Sequence, residues 1–341
     1  MKIIIIASDI HSGGGKTLLN DFLSAASKMN LINFHVLVDQ RYDSKKYFQD
    51  NIFFTFVSKF QRIFYVNRTV KKLANEDDII INFSDLPTFS VHKATTIQYI
   101  QNQYLIDNLS TKGLHWFVRL RLLFEKIAFS IFLRNSDYLF IQNLVMQDLL
   151  LNLGFSKNII KVMPFKDIEQ VASIEKKLEN SFLYVASDDS HKNHSNLIAA
   201  WKLLAKQGNY PTLILTIDGN TFLHRQITEK IKKYNLQINI ESNLSRLELL
   251  GYYNKVSALI YPSFFESLGL PLIEASNFNL PVIASELDYV RDLIDPTETF
   301  DPNSPRSIAR AVNRFMGNTD NKTRILSAVA FSKDLATYAE K

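Results

Sequence analysis

The chain has no cysteine, which excludes disulfides, thiolate metal sites and cysteine nucleophiles. It also lacks any uncharged apolar run approaching the ~20 residues that a membrane-spanning helix needs. The first apolar run, Ile3 to Ala7, is too short for the apolar region of a signal peptide, and acidic Asp9 follows it. A cytoplasmic protein is the expectation. No internal repeat or low-complexity segment is visible, and neither common phosphate-loop signature is complete. Gly15-Lys16-Thr17 would need a glycine five positions before Gly15, where Ile10 stands. The glycine trio at 13–15 is not a G-x-G-x-x-G fingerprint either. No tight cluster of aspartate and histidine points to a metal. The nearest approach, His191 and His194 beside Asp188 and Asp189, reads as loop polarity where a helix begins.

What is present describes an ordinary globular protein. A length of 341 residues allows two domains with their own cores, and 46% hydrophobic with 21% charged residues is unexceptional. The charge is unevenly placed: residues 1–165 carry 19 Lys+Arg against 13 Asp+Glu, and residues 166–341 carry 20 against 21. A basic first half suits an anionic membrane surface, nucleic acid or a phosphorylated substrate, or is scattered solubility charge. The aromatics follow core periodicity rather than a basic stripe, so no nucleic-acid partner is expected. Residues 112–134 read as one long helix. Lys112, Arg119, Arg121, Lys126 and Arg134 there outnumber Glu125, with Trp116 and Phe117 beside them. Two readings stand equal, an interfacial helix on an anionic membrane and a core helix with a wet basic face.

Short apolar runs at Ile3–Ala7, Phe34–Val38, Ile52–Val57, Ile79–Phe83, Thr95–Ile100 and Tyr138–Ile141 alternate with helical stretches. That alternation predicts an α/β domain with a doubly wound parallel sheet. After the first run, Gly14 and Gly15 open a helix, a geometry that offers backbone N–H groups to a phosphate. The polar stretch 166–180 reads as a linker. Phe182–Ala186, Leu213–Ile217 and Ile238–Ile240 then begin a second sheet, and Ser245 with Glu248 has the spacing of a helix capping box.

The most informative stretch is residues 261–284. The run Val256 to Tyr261 reads as a buried strand stopped by Pro262 and Ser263. Glu266 falls in the following loop, Gly269 allows a sharp turn, and Pro271 suits the first turn of a helix that holds Glu274 near its start. Both carboxylates then face the crevice at a strand's carboxyl end, where open α/β sheets bind ligands. A carboxylate accepts hydrogen bonds from neighbouring sugar or ribose hydroxyls, and the backbone N–H groups of Leu268, Gly269 and Leu270 could bind polar oxygens. The plainer reading makes Glu266 a solvated loop residue and Glu274 an acid favoured by the helix dipole. Two glutamates flanking Ser-Leu-Gly-Leu-Pro-Leu-Ile between buried strands weigh against it.

This stretch resembles the E-x7-E motif of retaining GT-B glycosyltransferases, most closely family 4, with Glu266 and Glu274 at the acidic positions. Ser267 and Asn279 stand where glycines are common and read as local variation. Ser187 to Asn193 resembles the family's G-R-x-x-x-x-K-N segment: Lys192 and Asn193 match, and Ser187 replaces a frequent arginine. Phe300-Asp-Pro-Asn-Ser-Pro305 resembles the family's F-D-P turn ahead of a helix from Ile308 to Met316. Gln101 stands near where many members place a histidine, and it cannot titrate.

The resemblance implies two Rossmann-like domains facing a cleft. Residues 1–165 would form the acceptor-side domain and 166–325 the nucleotide-sugar domain, with a helix at 326–341 crossing back onto the first. By the same resemblance Glu274 binds the ribose, Glu266 and Gln101 face the transferred sugar, and Lys192 neutralises the departing diphosphate. Ser187, Asn193 and the Leu268–Leu270 backbone complete the donor site, and Gly14 and Gly15 face it from the first domain. The implied reaction is retaining hexosyl transfer from a nucleotide sugar to a glycan or lipid-linked acceptor in bacterial surface polysaccharide or lipopolysaccharide synthesis. It would need no metal or other cofactor and could take place at the inner-membrane surface. The alternatives are a phosphorylase or nucleotide-sugar hydrolase on the same fold, and a non-catalytic nucleotide-sugar-binding protein.

Overall fold

The computed structural model describes residues 1–318 and 327, apart from 30, 48, 60, 61, 63, 108–115, 168–176 and 220. The expected helix at 326–341 apart from residue 327, residues 112–115 of the expected helix at 112–134, and the middle of the expected linker lie outside the described residues.

Seven strands form the first sheet: β1 (Lys2–Ala7), β2 (Asn33–Asp39), β3 (Ile52–Val57), β4 (Ile79–Asn82), β5 (Thr95–Tyr99), β6 (Tyr138–Ile141) and β7 (Ile160–Val162). Their order is β3-β2-β1-β4-β5-β6-β7, all parallel. The centre of β1 is fully buried, as a strand covered on both faces requires. Helix α1 (Gly13–Ala26) packs Leu18, Leu19 and Leu23 into the core on one side of the sheet, and α2 (Phe64–Leu73) packs Val66 and Val70 into a separate core that includes Ile4 and Ile6. Helix α3 (Trp116–Phe132) and α4 (Leu144–Asn152) cover the far end.

The second sheet holds β8 (Ser181–Val185), β9 (Thr212–Thr216), β10 (Ile238–Ile240), β11 (Ala258–Tyr261), β12 (Val282–Ser285) and β13 (Glu298–Phe300). It too is parallel, in the order β10-β9-β8-β11-β12-β13. Around it lie α5 (His194–Lys206), α6 (Phe222–Tyr234), α7 (Arg246–Lys255), α8 (Leu270–Asn277), α9 (Asp288–Arg291) and α10 (Pro305–Phe315). Strand order reverses between β1 and β4 in the first sheet and between β8 and β11 in the second. A crevice opens at each of these switch points.

Several elements depart from the expectation. Strands β7 and β13 have three residues each, too few for a hydrophobic period to be seen. Helix α10 begins at Pro305, three residues early, because the Ser304 hydroxyl accepts from the Ser307 N–H and proline suits the first turn. Glu274 sits in the second turn of α8, since the helix already begins at Leu270 after Gly269 in the left-handed region. Asn279 is also left-handed, with φ of 50°. Asparagine is one of the few non-glycine residues that tolerates this conformation, so it fills a glycine position without strain.

Helix α3 lacks the wet basic face of the second reading of its segment. Phe129 is buried, but Trp116, Phe117, Leu120, Leu123, Phe124, Ile127 and Ile131 are exposed. The outer face is therefore apolar and edged by cations, not a wet basic face. Among the described residues no helix is long and apolar enough to cross a membrane.

The two domains are pinned together through the loop after β11. The Asn143 side chain donates to the backbone carbonyls of Glu266 (3.2 Å) and Ser267 (2.7 Å). The Ser267 hydroxyl donates to the Gln101 carbonyl, so this serine is an inter-domain tie rather than local variation. Leu268 is buried in the core of the first domain, and Lys166 pairs with Asp21 of α1 at 2.9 Å.

Candidate active site

A cleft of about 770 Å³ runs between the two sheets. Of the residues singled out from the sequence, all but Asn193 line it. The second sheet's switch point explains the convergence. The loop after β8 carries Ser187 and Lys192, the loop after β11 carries Glu266, and these strands are neighbours. Opposite them stand Gly14 and Gly15 at the start of α1, and Gln101 just beyond β5.

Lys192 and Glu266 meet directly, with the ammonium nitrogen 2.7 and 2.8 Å from the two carboxylate oxygens. The Tyr261 hydroxyl donates to one of those oxygens at 2.9 Å. Glu266 is 8% exposed. Leaving a nearly buried carboxylate without such partners would be costly. Glu274, 5% exposed, accepts from the Tyr253 hydroxyl at 2.8 Å and pairs with Arg246 at 2.8 Å. Burial, reinforced by the neighbouring carboxylates, keeps both tyrosine hydroxyls well above their ordinary pKa.

Asn193 has another job. In the left-handed conformation (φ 59°), it turns its amide to the carbonyls of Pro262 (3.0 Å) and Pro302 (2.8 Å). It thereby ties the loop after β11 and the turn after β13 to the start of α5, and its side chain does not reach the cleft. Ser187 keeps its hydroxyl on Asp189 at 2.6 Å. The Gln101 amide donates to the Phe83 carbonyl at 3.1 Å. A Cβ on Gly15 would lie 3.2 Å from the Gln101 side-chain oxygen, so glycine is what lets the helix start approach Gln101 here.

His191 and His194 are not loop polarity. His194 is 4% exposed, with Nε2 at 2.7 Å from the Ser187 carbonyl. His191 stacks on Phe265, ring centres 4.5 Å apart. Burial first, and then Lys192 beside His191, hold both imidazoles below their ordinary pKa. Among the described residues no group of three or more His, Cys, Asp or Glu is arranged to hold a metal ion.

Two groups of residues escaped sequence reasoning. Arg246 opens α7 behind Ser245, whose hydroxyl and Glu248 form the expected capping box; the cap was visible, but the arginine's approach to Glu274 depends on how α7 packs. The second group lies at the switch point of the first sheet, where Asp9, Asp85, Arg62 and Glu125 line an adjoining cavity of about 500 Å³. Asp9 and Asp85 had position after an apolar run as their only signal, shared with many loop acids, and Arg62 and Glu125 had none.

Residues 165–330 match the family model described as Glycosyl transferases group 1. The chain is similar to the O-antigen chain mannosyltransferase RfbU of Salmonella typhimurium, 27% identical over 157 residues, which are 46% of this chain and 44% of that one. It is also similar to the amylovoran biosynthesis glycosyltransferase AmsD of Erwinia amylovora, 34% identical over 106 residues, 31% and 29% of the two chains. The match thus spans less than half the length of these curated relatives. Among solved structures, Anabaena HepE in complex with UDP and glucose superposes with a TM-score of 0.66 at 14% identity, covering 92% of this chain and 89% of that one. The fold is therefore GT-B, two Rossmann-like domains across a cleft.

Proposed function

We propose that this protein, whose residues 165–330 match the glycosyl transferases group 1 family model, is a retaining glycosyltransferase that moves a hexose from a nucleotide sugar to a glycan or lipid-linked hydroxyl. The observation that carries the reading is the meeting of Lys192 and Glu266 at 2.7 Å, at a strand switch point and opposite Gly14, Gly15 and Gln101. A fixed cation there is placed for a diphosphate, and a carboxylate beside it for sugar hydroxyls. Glu274, oriented by Tyr253 and Arg246, suits the vicinal hydroxyls of a ribose.

On this reading the arriving diphosphate draws the Lys192 ammonium from Glu266, whose oxygens then accept from the donor sugar. As the donor bond breaks, charge grows on the diphosphate, and Lys192 stabilises that state more than the ground state. Backbone N–H groups at the start of α1 assist from the opposite domain. The reading assigns no step to a metal ion. Relatives named for O-antigen and amylovoran synthesis support a role in bacterial surface polysaccharide assembly. The outer face of α3, apolar and flanked by Arg119 and Arg121, seats the protein on the cytoplasmic face of an anionic membrane.

The test is release of nucleoside diphosphate from UDP-, GDP- and ADP-hexoses, with and without a glycan acceptor. Release that depends on acceptor, giving a product with the donor's anomeric configuration by NMR, supports the proposal. Release indifferent to acceptor makes the protein a hydrolase, and binding without release makes it a binding protein.

A further inference from the structure

We infer that Tyr261 is a positioning residue of the donor cleft: its buried hydroxyl holds Glu266 in place while Lys192 leaves that carboxylate for the diphosphate. The inference rests on the transferase reading above and concerns the exchange inside the site that precedes any transfer.

The lysine is occupied before a nucleotide arrives. Among the described residues, the hydrogen-bond partners of the Lys192 ammonium are the two oxygens of Glu266, at 2.7 and 2.8 Å. A diphosphate therefore gains this cation only as Glu266 gives it up. Glu266 is 8% exposed, so the exchange strands a nearly buried carboxylate unless another hydrogen-bond donor stays with it. A stranded buried charge is costly. The Tyr261 hydroxyl, 2.9 Å from Oε1 of Glu266, is the donor that stays.

The surroundings of Tyr261 suit an anchor. It ends β11, which lies between β8 and β12 in the second sheet, and it is buried. Its ring meets that of Tyr184 edge-on, with centres 5.9 Å apart. Burial first, and then Glu266 beside it, holds the Tyr261 hydroxyl well above its ordinary pKa, so it keeps its proton. Tyr184, on the neighbouring strand β8, donates to the backbone carbonyl of Lys192 at 2.5 Å. Two tyrosines at the ends of adjacent strands thus fix the lysine's backbone and the glutamate's carboxylate. What remains to swing is the flexible stem of Lys192.

Tyr289 supplies the contrast. Its buried hydroxyl donates to the Ser263 carbonyl at 2.9 Å, so it holds the same loop by its backbone without a hydrogen bond to Glu266. If Tyr261 only shaped the loop, removing either hydroxyl would act alike.

Isothermal titration with UDP, GDP and ADP tests this. Whichever nucleotide the wild type binds, Tyr261→Phe should weaken it by about tenfold or more, the lower end for a hydrogen bond to a charged group. Tyr289→Phe should stay within about twofold. In a Glu266→Gln background Lys192 is already released and no charge can be stranded, so there Tyr261→Phe should change affinity by less than about twofold, a double-mutant cycle that isolates the coupling. With a nucleotide hexose that turns over, KM should rise in Tyr261→Phe and kcat should hold within about threefold, because Lys192 is unchanged once it reaches the diphosphate. Should Tyr261→Phe fail to fold, Glu266→Gln compared with Tyr261→Phe/Glu266→Gln decides alone, since neither leaves a buried charge unpaired.

The inference is overturned if Tyr261→Phe binds nucleotide as the wild type does, if its loss persists in the Glu266→Gln background, or if Tyr289→Phe loses as much. A fall in kcat with KM unchanged overturns it too. Nucleotide binding without acceptor-dependent release would sink the transferase reading and leave the affinities to decide the role of Tyr261. A wild type that binds no nucleotide would end both.

Discussion

The Lys192 ammonium lies within 2.8 Å of both carboxylate oxygens of Glu266, across 74 residues of sequence. Two groups with separate expected roles are therefore one electrostatic unit in this structure. Removing Lys192 has two consequences that can be told apart. Single-turnover transfer at saturating donor should fall by roughly 10²–10³ in Lys192→Ala, the usual cost of one donor to a developing negative charge. The fold should also lose stability, because a nearly buried carboxylate is left unpaired, at roughly 3–5 kcal/mol for a broken buried pair. The double variant Lys192→Ala/Glu266→Gln should recover most of that stability and none of the rate. A Lys192→Ala protein within a few-fold of wild-type turnover would show that the diphosphate charge is met elsewhere.

Glu274 should act on the nucleotide alone. Glu274→Ala is expected to weaken binding of free nucleoside diphosphate by about 1.5–3 kcal/mol, the range for hydrogen bonds to a charged group. Glu266→Ala should leave that affinity within about twofold while raising KM for the sugar donor. Tyr253→Phe is the control, because it keeps the carboxylate and removes only its 2.8 Å hydroxyl partner. Isothermal titration with UDP and GDP reads all three. Equal losses from Glu266→Ala and Glu274→Ala would remove the division of labour.

Asp85 gives the fold a pH dependence of predictable sign. Its carboxyl is raised to about 7, by burial first and by Asp9 second, with opposing contributions from Asn102 and Arg121 and a further rise from Glu125. In the unfolded chain it titrates near 3.9. Between these values the folded protein holds a proton that the unfolded chain has released, so stability is lost as pH rises from about 4 through 7. Buried His191 and His194, with lowered pKa, slope the opposite way in wild type and variant alike. The difference isolates Asp85: from pH 5 to 8 the wild-type melting temperature should fall relative to that of Asp85→Asn. Parallel curves would place the proton elsewhere.

Helix α3 should bind anionic vesicles through its apolar face. Phe124→Glu and Ile131→Glu, both at exposed positions, should abolish sedimentation with vesicles of mixed anionic and neutral lipid. Arg119→Gln should weaken it only at low salt, where charge is little screened. Binding of UDP and GDP by isothermal titration should be unchanged in all three. Wild-type protein that stays in the supernatant at low ionic strength would end this assignment.

The sequence by itself determined most of the chain's local structure and the character of its donor cleft. Apolar runs such as Ile3–Ala7 and Val256–Tyr261 read as covered strands, because adjacent residues that face opposite ways and are both apolar want burial on both sides, and the structure begins the second strand at Ala258. Glu266, Gly269, Pro271 and Glu274 lie within nine positions of one another, and backbone chemistry at Gly269 and Pro271 sets their turn locally. That stretch was legible for this reason. Tertiary structure alone decided what those carboxylates touch. Lys192 to Glu266 is a contact between loops after different strands and Arg246 to Glu274 one between α7 and α8, and the order in which strands pair is not written in any one of them. It also decided that Asn193 clamps two proline carbonyls and that Ser267 ties the domains. Asp9, Asp85, Glu125 and Arg62 come from four separate elements, so their spacing along the chain carries no pattern. Partial burial, which leaves one side-chain atom each of Asp9, Arg62 and Glu125 without a hydrogen-bond partner among the described residues, appears only once the chain is folded.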